Sequence, residues 1–268
     1  MINRMKIGGE KINNKKVSQI KADEDIYKTI GDIKLKIKTY KPQDWTINDK
    51  NAAIIFFFGG GWVKGTIDHF KKQSEYLASR GIVAITADYR VEDRHGTTPF
   101  ECVKDGISAV SWVNNHSQEL GIDSEKIFVA GGSAGGHVAV SSVIFKDKFK
   151  EKQNYNPVGM VLFNPVIDTT EKGYGSQKIG ENAKELSPVH HIRQGLPPTI
   201  IFHGKSDKVV PFTNAQHFCE KMKKYNNECI LIPYQGKGHG FFNYGQDEDN
   251  YCYHDTLHRA EKFINSVL

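Results

Sequence analysis

The stretch FVAGGSAGGHVAV, residues 128–140, decides how the chain is read: an apolar run breaks into four glycines around Ser133, and apolar spacing then resumes. Glycine inside a regular element costs roughly 0.5–1 kcal/mol relative to alanine. A cluster of four therefore marks a turn or a close approach of backbones. The run before it, KIFVAG, reads as a buried strand, and the apolar pattern from His137 to Ile144 reads as a helix. Gly131-Gly132-Ser133-Ala134-Gly135 fits G-x-S-x-G, in which a sharp strand-to-helix turn lifts a serine hydroxyl clear of the backbone. A phosphate-cradling turn is the competing reading of such glycines, but the chain shows no G-x-G-x-x-G pattern.

Working outward, the same alternation recurs. GDIKLKIKTY alternates apolar and lysine positions, as a half-exposed strand does. NAAIIFFFGGGW, GIVAITADYR, VGMVLFNP, PTIIFHG and CILIPYQ are continuous apolar runs, the mark of strands covered on both faces. Helical segments are expected at Thr66–Arg80, within TPFECVKDGISAVSWVNNHSQEL, and from about Tyr253 to Leu268. Strand and helix alternating in this way predict a doubly wound, mainly parallel α/β sheet with helices on both faces, in a single domain over residues 1–268. Residues 169–182, TTEKGYGSQKIGEN, are polar and glycine-bearing between two strands and are expected to form a short insertion at the sheet's edge.

A hydroxyl becomes a useful nucleophile only when a base takes its proton and an acid orients that base. In a chain with this elbow the order is serine, acid, histidine. Asp207 follows the buried strand PTIIFHG, and His239 follows the last strand between two glycines, so both are expected at the carboxyl rim with Ser133. Asp168, at the end of the preceding strand, is the alternative acid. The Gly59-Gly60-Gly61-Trp62 turn ends an earlier buried strand and offers unobstructed amides. The N–H of Ala134, directly after the serine, would complete an oxyanion hole with amides of that turn, and Gly59 and Trp62 are expected beside the substrate.

These motifs resemble the α/β-hydrolase superfamily, and within it carboxylesterases related to hormone-sensitive lipase and to bacterial acetyl-xylan and feruloyl esterases. FFFGGGW, ITADYRV followed by TPFECVKD, AGGSAGGH, FHGKSDKVVP and GKGHGFF carry the resemblance, which covers about residues 30 to 268. It implies Ser133 as nucleophile, His239 as base, Asp207 as acid, the Gly60, Gly61 and Ala134 amides as oxyanion hole, and hence a covalent acyl-enzyme. Two positions depart from the family's pattern. Phe58 stands where HGGG has its histidine, so the side-chain bonds that brace that loop are expected to be absent. Gly132 stands where the lipase-like elbow GDSAGG has its aspartate. Together with the short insertion, which implies a minimal lid, they point to short-acyl or sugar esters. Serine peptidases of the prolyl oligopeptidase type share the elbow and the chain order but usually carry a large extra domain, and a binding protein on this fold would not need the three residues intact.

Composition bounds the partners. Lys+Arg exceed Asp+Glu by 36 − 31 = 5, and the first fifty residues account for the whole excess, 12 − 7 = 5. The remainder is neutral by count, which speaks against a nucleic-acid face on the folded body; the Lys- and Asn-rich lead segment is expected to be solvated surface. No run has signal-peptide or membrane-spanning length, so a soluble, cytoplasmic protein without membrane contact is expected. Cys102, Cys219, Cys229 and Cys252 lack metal-ligand spacing. Free thiols are expected, with a Cys219–Cys229 bridge as the alternative, and neither metal nor organic cofactor is required.

Overall fold

The computed structural model describes residues 20–149 and 154–268; the Lys-rich lead segment over 1–19 lies outside the described residues. Eight strands form one sheet: β1 (Ala22–Ile30), β2 (Ile33–Tyr40), β3 (Asn51–Phe57), β4 (Val83–Ala87), β5 (Ile122–Gly132), β6 (Gly159–Phe163), β7 (Thr199–Gly204) and β8 (Cys229–Tyr234). Their order is β1-β2-β4-β3-β5-β6-β7-β8. β1 and β2 run antiparallel to their neighbours, and every pair from β4 to β8 is parallel.

The continuous apolar runs are explained by two cores, one on each face. Ala53, Ile55 and Phe57 of β3 point into one core with Ile85, Val129 and Leu162; Ile54 and Phe56 point into the other with Phe128, Val161 and Phe202. Successive side chains on a strand alternate faces, so a strand buried on both sides must be apolar at every position. Helices α2 (Pro99–Asn115), α3 (Ala134–Ile144) and α4 (Phe212–Lys224) cover the first face, through Val103, Val138 and Phe218. Helices α1 (Lys71–Ser79) and α5 (Tyr251–Val267) cover the second, through Leu77 and Ile264. Among the described residues no helix is long and apolar enough to cross a membrane.

Three elements differ from the reading of the sequence. β1 gave no strand signal because it is a charged edge: Asp23 and Glu24 pair with Lys41 and Lys36 at 2.9 and 2.6 Å instead of entering a core. The helix expected from Thr66 begins only at Lys71, since Thr66–Phe70 is a pair of turns that swings His69 back toward Gly59. The third is the cysteine expectation. Cys219 on α4 and Cys229 at the start of β8 form a disulfide, with Cα atoms 5.2 Å apart, while Cys102 and Cys252 are free and buried. The turn after α4, closed by the bond from Asn227 N–H to Met222 C=O, brings the helix face against the strand it precedes. Closing a loop of ten residues stabilises by about 2–3 kcal/mol in the chain-entropy model. Replacing both cysteines with serine is expected to lower the unfolding free energy by about that amount in urea titration, with little change in activity, because the bridge lies away from the carboxyl rim.

Candidate active site

Ser133 sits between β5 and α3 with φ 54° and ψ −122°, a conformation that non-glycine residues rarely adopt. Three backbone bonds hold it there. Its N–H donates to Phe163 C=O at 3.0 Å, and its C=O accepts from Val166 N–H at 3.0 Å and from His137 N–H at 3.1 Å. The glycines are steric necessities. A Cβ on Gly131 would stand 2.3 Å from the Gly135 oxygen, and one on Gly135 would stand 2.1 Å from the Phe57 oxygen. Gly132 is closed differently: a Cβ there would meet the rings of Phe242 and Phe70 at 2.8 and 3.2 Å, so aromatic packing occupies the space where the lipase-like elbow carries aspartate.

His239 Nε2 lies 3.0 Å from Ser133 Oγ, and His239 Nδ1 lies 2.8 Å from Asp207 Oδ2. Burial alone would raise the Asp207 carboxyl. Hydrogen bonds from His203 and His239, and from the amides of Val210 and Val209, outweigh it and hold the group well below the ordinary carboxylate range. An ionised carboxylate only accepts, so His239 carries its proton on Nδ1 and presents a bare Nε2 to the serine hydroxyl. His203, which the sequence reading passed over, shares the same oxygen: its Nε2 is 3.3 Å from Asp207 Oδ2 and 3.0 Å from Val210 C=O. Asp168 stands elsewhere. Its Oδ1 accepts from Thr170 N–H, Thr170 Oγ and Ser187 Oγ at 2.9, 2.7 and 3.3 Å, pinning the base of the 169–187 segment.

The glycine turn after β3 brings Gly59, Gly60 and Gly61 to the rim beside Ser133. Gly60 and Gly61 have φ 132° and 65°, and a Cβ on Gly60 would fall 2.0 Å from the Lys64 oxygen. Among the described residues no acceptor takes the amides of Gly60, Gly61 or Ala134, and Ala134 opens α3, where first-turn N–H groups have no helical partner. The expectation for Trp62 is corrected. Trp62 is 1% exposed and packs beneath the cavity, edge-on to His137 and against Tyr174, with centroids at 5.2 and 5.7 Å. It turns inward because it too has positive φ, 62°, and Gly175 leaves its ring room: a Cβ there would lie 2.4 Å from Trp62.

The absent HGGG histidine is replaced from two directions, which corrects the expectation of an unbraced loop. Tyr89, from ITADYRV, donates its hydroxyl to Phe58 C=O at 2.6 Å and stacks on the Phe58 ring at 4.1 Å. His69 accepts the Gly59 N–H at 3.0 Å on Nδ1. Burial lowers the pKa of His69 against the raising effect of Asn243, so the ring is neutral and its Nε2–H donates to Asn243 Oδ1 at 3.0 Å. On the other side of the cavity, Asn164 at φ 34° accepts Gly240 N–H at 3.2 Å and so fixes the residue after His239. The Asn164-Pro165 pair at a strand end is a turn signal that the sequence reading did not use.

These groups enclose a cavity of about 450 Å³, with Tyr174 of the 169–182 insertion as one wall and Phe242 as another. The insertion is small: it holds one helical turn, Ser176–Ile179, running into a 3₁₀ segment. Buried His137 supports it from below by bonding Leu186 C=O at 2.8 Å. Burial pushes the His137 pKa down to about 4, against the raising effect of that bond. The unfolded chain therefore binds one more proton than the folded one between about 6.5 and 4, and stability falls as pH drops through that window, by at most about 1.4 kcal/mol per unit. His137→Gln is expected to flatten this slope in denaturant titrations at pH 4.5 and 6.5. Among the described residues no group of three or more His, Cys, Asp or Glu could hold a metal ion.

A sheet of this order with a strained serine at a strand-to-helix turn defines a hydrolase of the α/β class, and a family model described as alpha/beta hydrolase fold matches residues 54–187, half of the chain. The chain belongs to the alpha/beta hydrolase fold family. A second model, BD-FAE, matches residues 172–222. In structure the chain is similar to esterase 2 of Thermogutta terrifontis, with 44% identity, a TM-score of 0.87 and coverage of 92% of this chain and 94% of that one. That esterase has been solved phosphorylated by paraoxon and with propionate or butyrate bound. In sequence the present chain is 27% identical to an acetylxylan esterase of Xylanibacter ruminicola over 78% of this chain and 44% of that protein. It is also 27% identical to a probable isoprenylcysteine alpha-carbonyl methylesterase of Arabidopsis thaliana over 76% and 48%. The chain spans about half the length of these two relatives.

Proposed function

We propose that the protein is a serine carboxylesterase that cleaves short-acyl or sugar esters through an acyl-enzyme. The observation that carries this reading is the unbroken chain from Ser133 Oγ through His239 to Asp207; Gly60 and Gly61, which line the same cavity, and Ala134, next in the chain, support it with amides that among the described residues have no acceptor. The reaction follows from those atoms. As Ser133 Oγ bonds to the ester carbonyl carbon, its proton passes to His239 Nε2, and the electron pair of the C=O moves to oxygen, which the three amides receive. The C–O bond then breaks, and the His239 proton goes to the leaving alcohol. Water repeats the sequence on the acyl-enzyme, releasing the acid and restoring Ser133. Asp207 stays ionised throughout and stabilises the imidazolium; each oxyanion donor contributes roughly 3–4 kcal/mol to the barrier reduction.

The substrate class follows from the walls. A segment as short as 169–182 cannot build a deep apolar channel, and each methylene left in water forfeits about 0.8 kcal/mol of burial. The propionate and butyrate bound to the Thermogutta esterase and the similarity to an acetylxylan esterase support the same reading. A panel of acetyl, butyryl, octanoyl and feruloyl esters tests it. The expected order places acetyl and butyryl ahead of octanoyl in kcat/KM; faster turnover of octanoyl than acetyl esters would overturn the short-acyl reading, and absence of turnover on the whole panel would overturn the esterase reading.

A further inference from the structure

The two loops that would carry the oxyanion donors and the base come from sequence positions almost 180 residues apart, and nothing in the sheet itself ties one to the other. A single side-chain path does. Gly59 N–H donates to His69 Nδ1 at 3.0 Å, His69 Nε2–H donates to Asn243 Oδ1 at 3.0 Å, and Asn243 Nδ2–H donates to Gly240 C=O at 3.0 Å. Gly240 is bonded to His239. We propose that His69 and Asn243 form a positioning bridge that keeps the Gly60–Gly61 amides and the His239 imidazole in one geometry as the oxyanion forms.

Each link has a defined direction. Because Nδ1 of His69 accepts, its one proton is on Nε2, where an acceptor, the Asn243 carbonyl oxygen, faces it; the Asn243 amide nitrogen is then left to donate to Gly240. No other assignment of the ring and amide satisfies all three bonds. The imidazole packs against neighbours that do not titrate, Phe70 and Phe242, with centroids at 4.8 and 6.2 Å and each ring tilted 34° to it. His69 and Asn243 also line the cavity, so the bridge crosses the floor beside Ser133 without supplying a reacting group. Phe58 explains why the task falls here: with no histidine at that position, the acceptor for the loop amide arrives from the turn before α1.

The inference rests on the esterase reading, and the test separates the two. His69→Ala, Asn243→Ala, the double variant and His69→Asn would be made in the full chain and assayed with p-nitrophenyl butyrate, alongside Ser133→Ala. Active sites would be counted by stoichiometric release of p-nitrophenol from diethyl p-nitrophenyl phosphate, so that lost folded protein is not mistaken for lost rate. His69→Ala and Asn243→Ala are each expected to lower kcat per titrated site by about 10- to 100-fold, part of what removal of an oxyanion donor costs, with KM changed by less than about threefold. Because both residues act in one path, the double variant is expected to cost no more than the larger single loss, whereas independent packing defects would multiply. His69→Asn places an amide oxygen where Nδ1 stood and is expected to recover several-fold over His69→Ala. A His69→Ala enzyme within about twofold of wild type, or multiplying losses in the double variant, overturns the bridge. Activity surviving in Ser133→Ala would instead overturn Ser133 as the nucleophile, on which the bridge rests, and absence of p-nitrophenyl butyrate turnover by the wild type would overturn the esterase reading itself.

Discussion

Replacing Ser133 with alanine is expected to lower kcat on p-nitrophenyl acetate by about 10,000-fold or more, with the melting temperature unchanged or slightly raised. The size of the effect follows from the proposed chemistry: among the described residues no other hydroxyl is hydrogen-bonded to His239 Nε2, so on that mechanism no acyl-enzyme forms and only water attack assisted by the proposed oxyanion amides remains. The direction of the stability change follows from the backbone. Ser133 is held at φ 54° by three main-chain bonds that alanine retains, and the side chain buries no core area. The loss should be accompanied by loss of covalent modification by diethyl p-nitrophenyl phosphate, read as a missing mass increment on the intact protein. An alanine variant that kept a tenth of wild-type activity would move the nucleophile elsewhere.

The second large effect is expected at Asp207. Asp207→Asn should reduce kcat by about 10,000-fold, by analogy with the corresponding change in the serine-protease triad, because the amide lets His239 settle in the tautomer with its proton on Nε2, facing the serine. The surroundings make this site intolerant. Oδ2 receives His239 at 2.8 Å and His203 at 3.3 Å, and Oδ1 receives the amides of Val209 and Val210 at 2.8 and 3.0 Å. Four donors converge on one carboxylate, and an amide nitrogen in either place would confront a donor with a donor. Asp168→Asn is expected to stay within several-fold of wild type, since that carboxylate only secures Thr170 and Ser187. A fatal Asp168 variant beside a mild Asp207 variant would transfer the acid role. The same carboxylate contributes to stability with a defined sign. Its folded pKa is depressed, so its contribution is fully present above the unfolded value near about 3.9 and is lost as pH falls through the folded value. The stability gap between wild type and Asp207→Asn should therefore narrow as the pH falls below about 4.

The sequence by itself determined the parts of this molecule that rest on local rules. Runs such as AAIIFFF must be apolar at every position because both faces of a parallel sheet are covered, and their alternation with 3.6-residue patterns leaves few architectures. The glycines at 131 and 135 announced the elbow because the strand end and the helix start pass too closely there for a side chain: a Cβ on Gly131 would stand 2.3 Å from the Gly135 oxygen. Chain order then singled out Asp207 and His239 from 31 acidic residues and 11 histidines. What tertiary structure alone decided are contacts between residues far apart in the chain. Trp62 looked like a rim residue until its positive φ and the space left by Gly175 turned it inward. Phe58 looked like a lost brace until Tyr89 and His69 supplied one from two other segments. The Cys219–Cys229 bridge depended on how a helix face meets the next strand, and β1 carried its charges outward, so no periodicity marked it. Asn164 and His203 lie within quoted stretches and Asn243 just beyond one, yet nothing there marks their partners, because a hydrogen bond across a folded site constrains the partner's position in space and leaves no spacing in the chain.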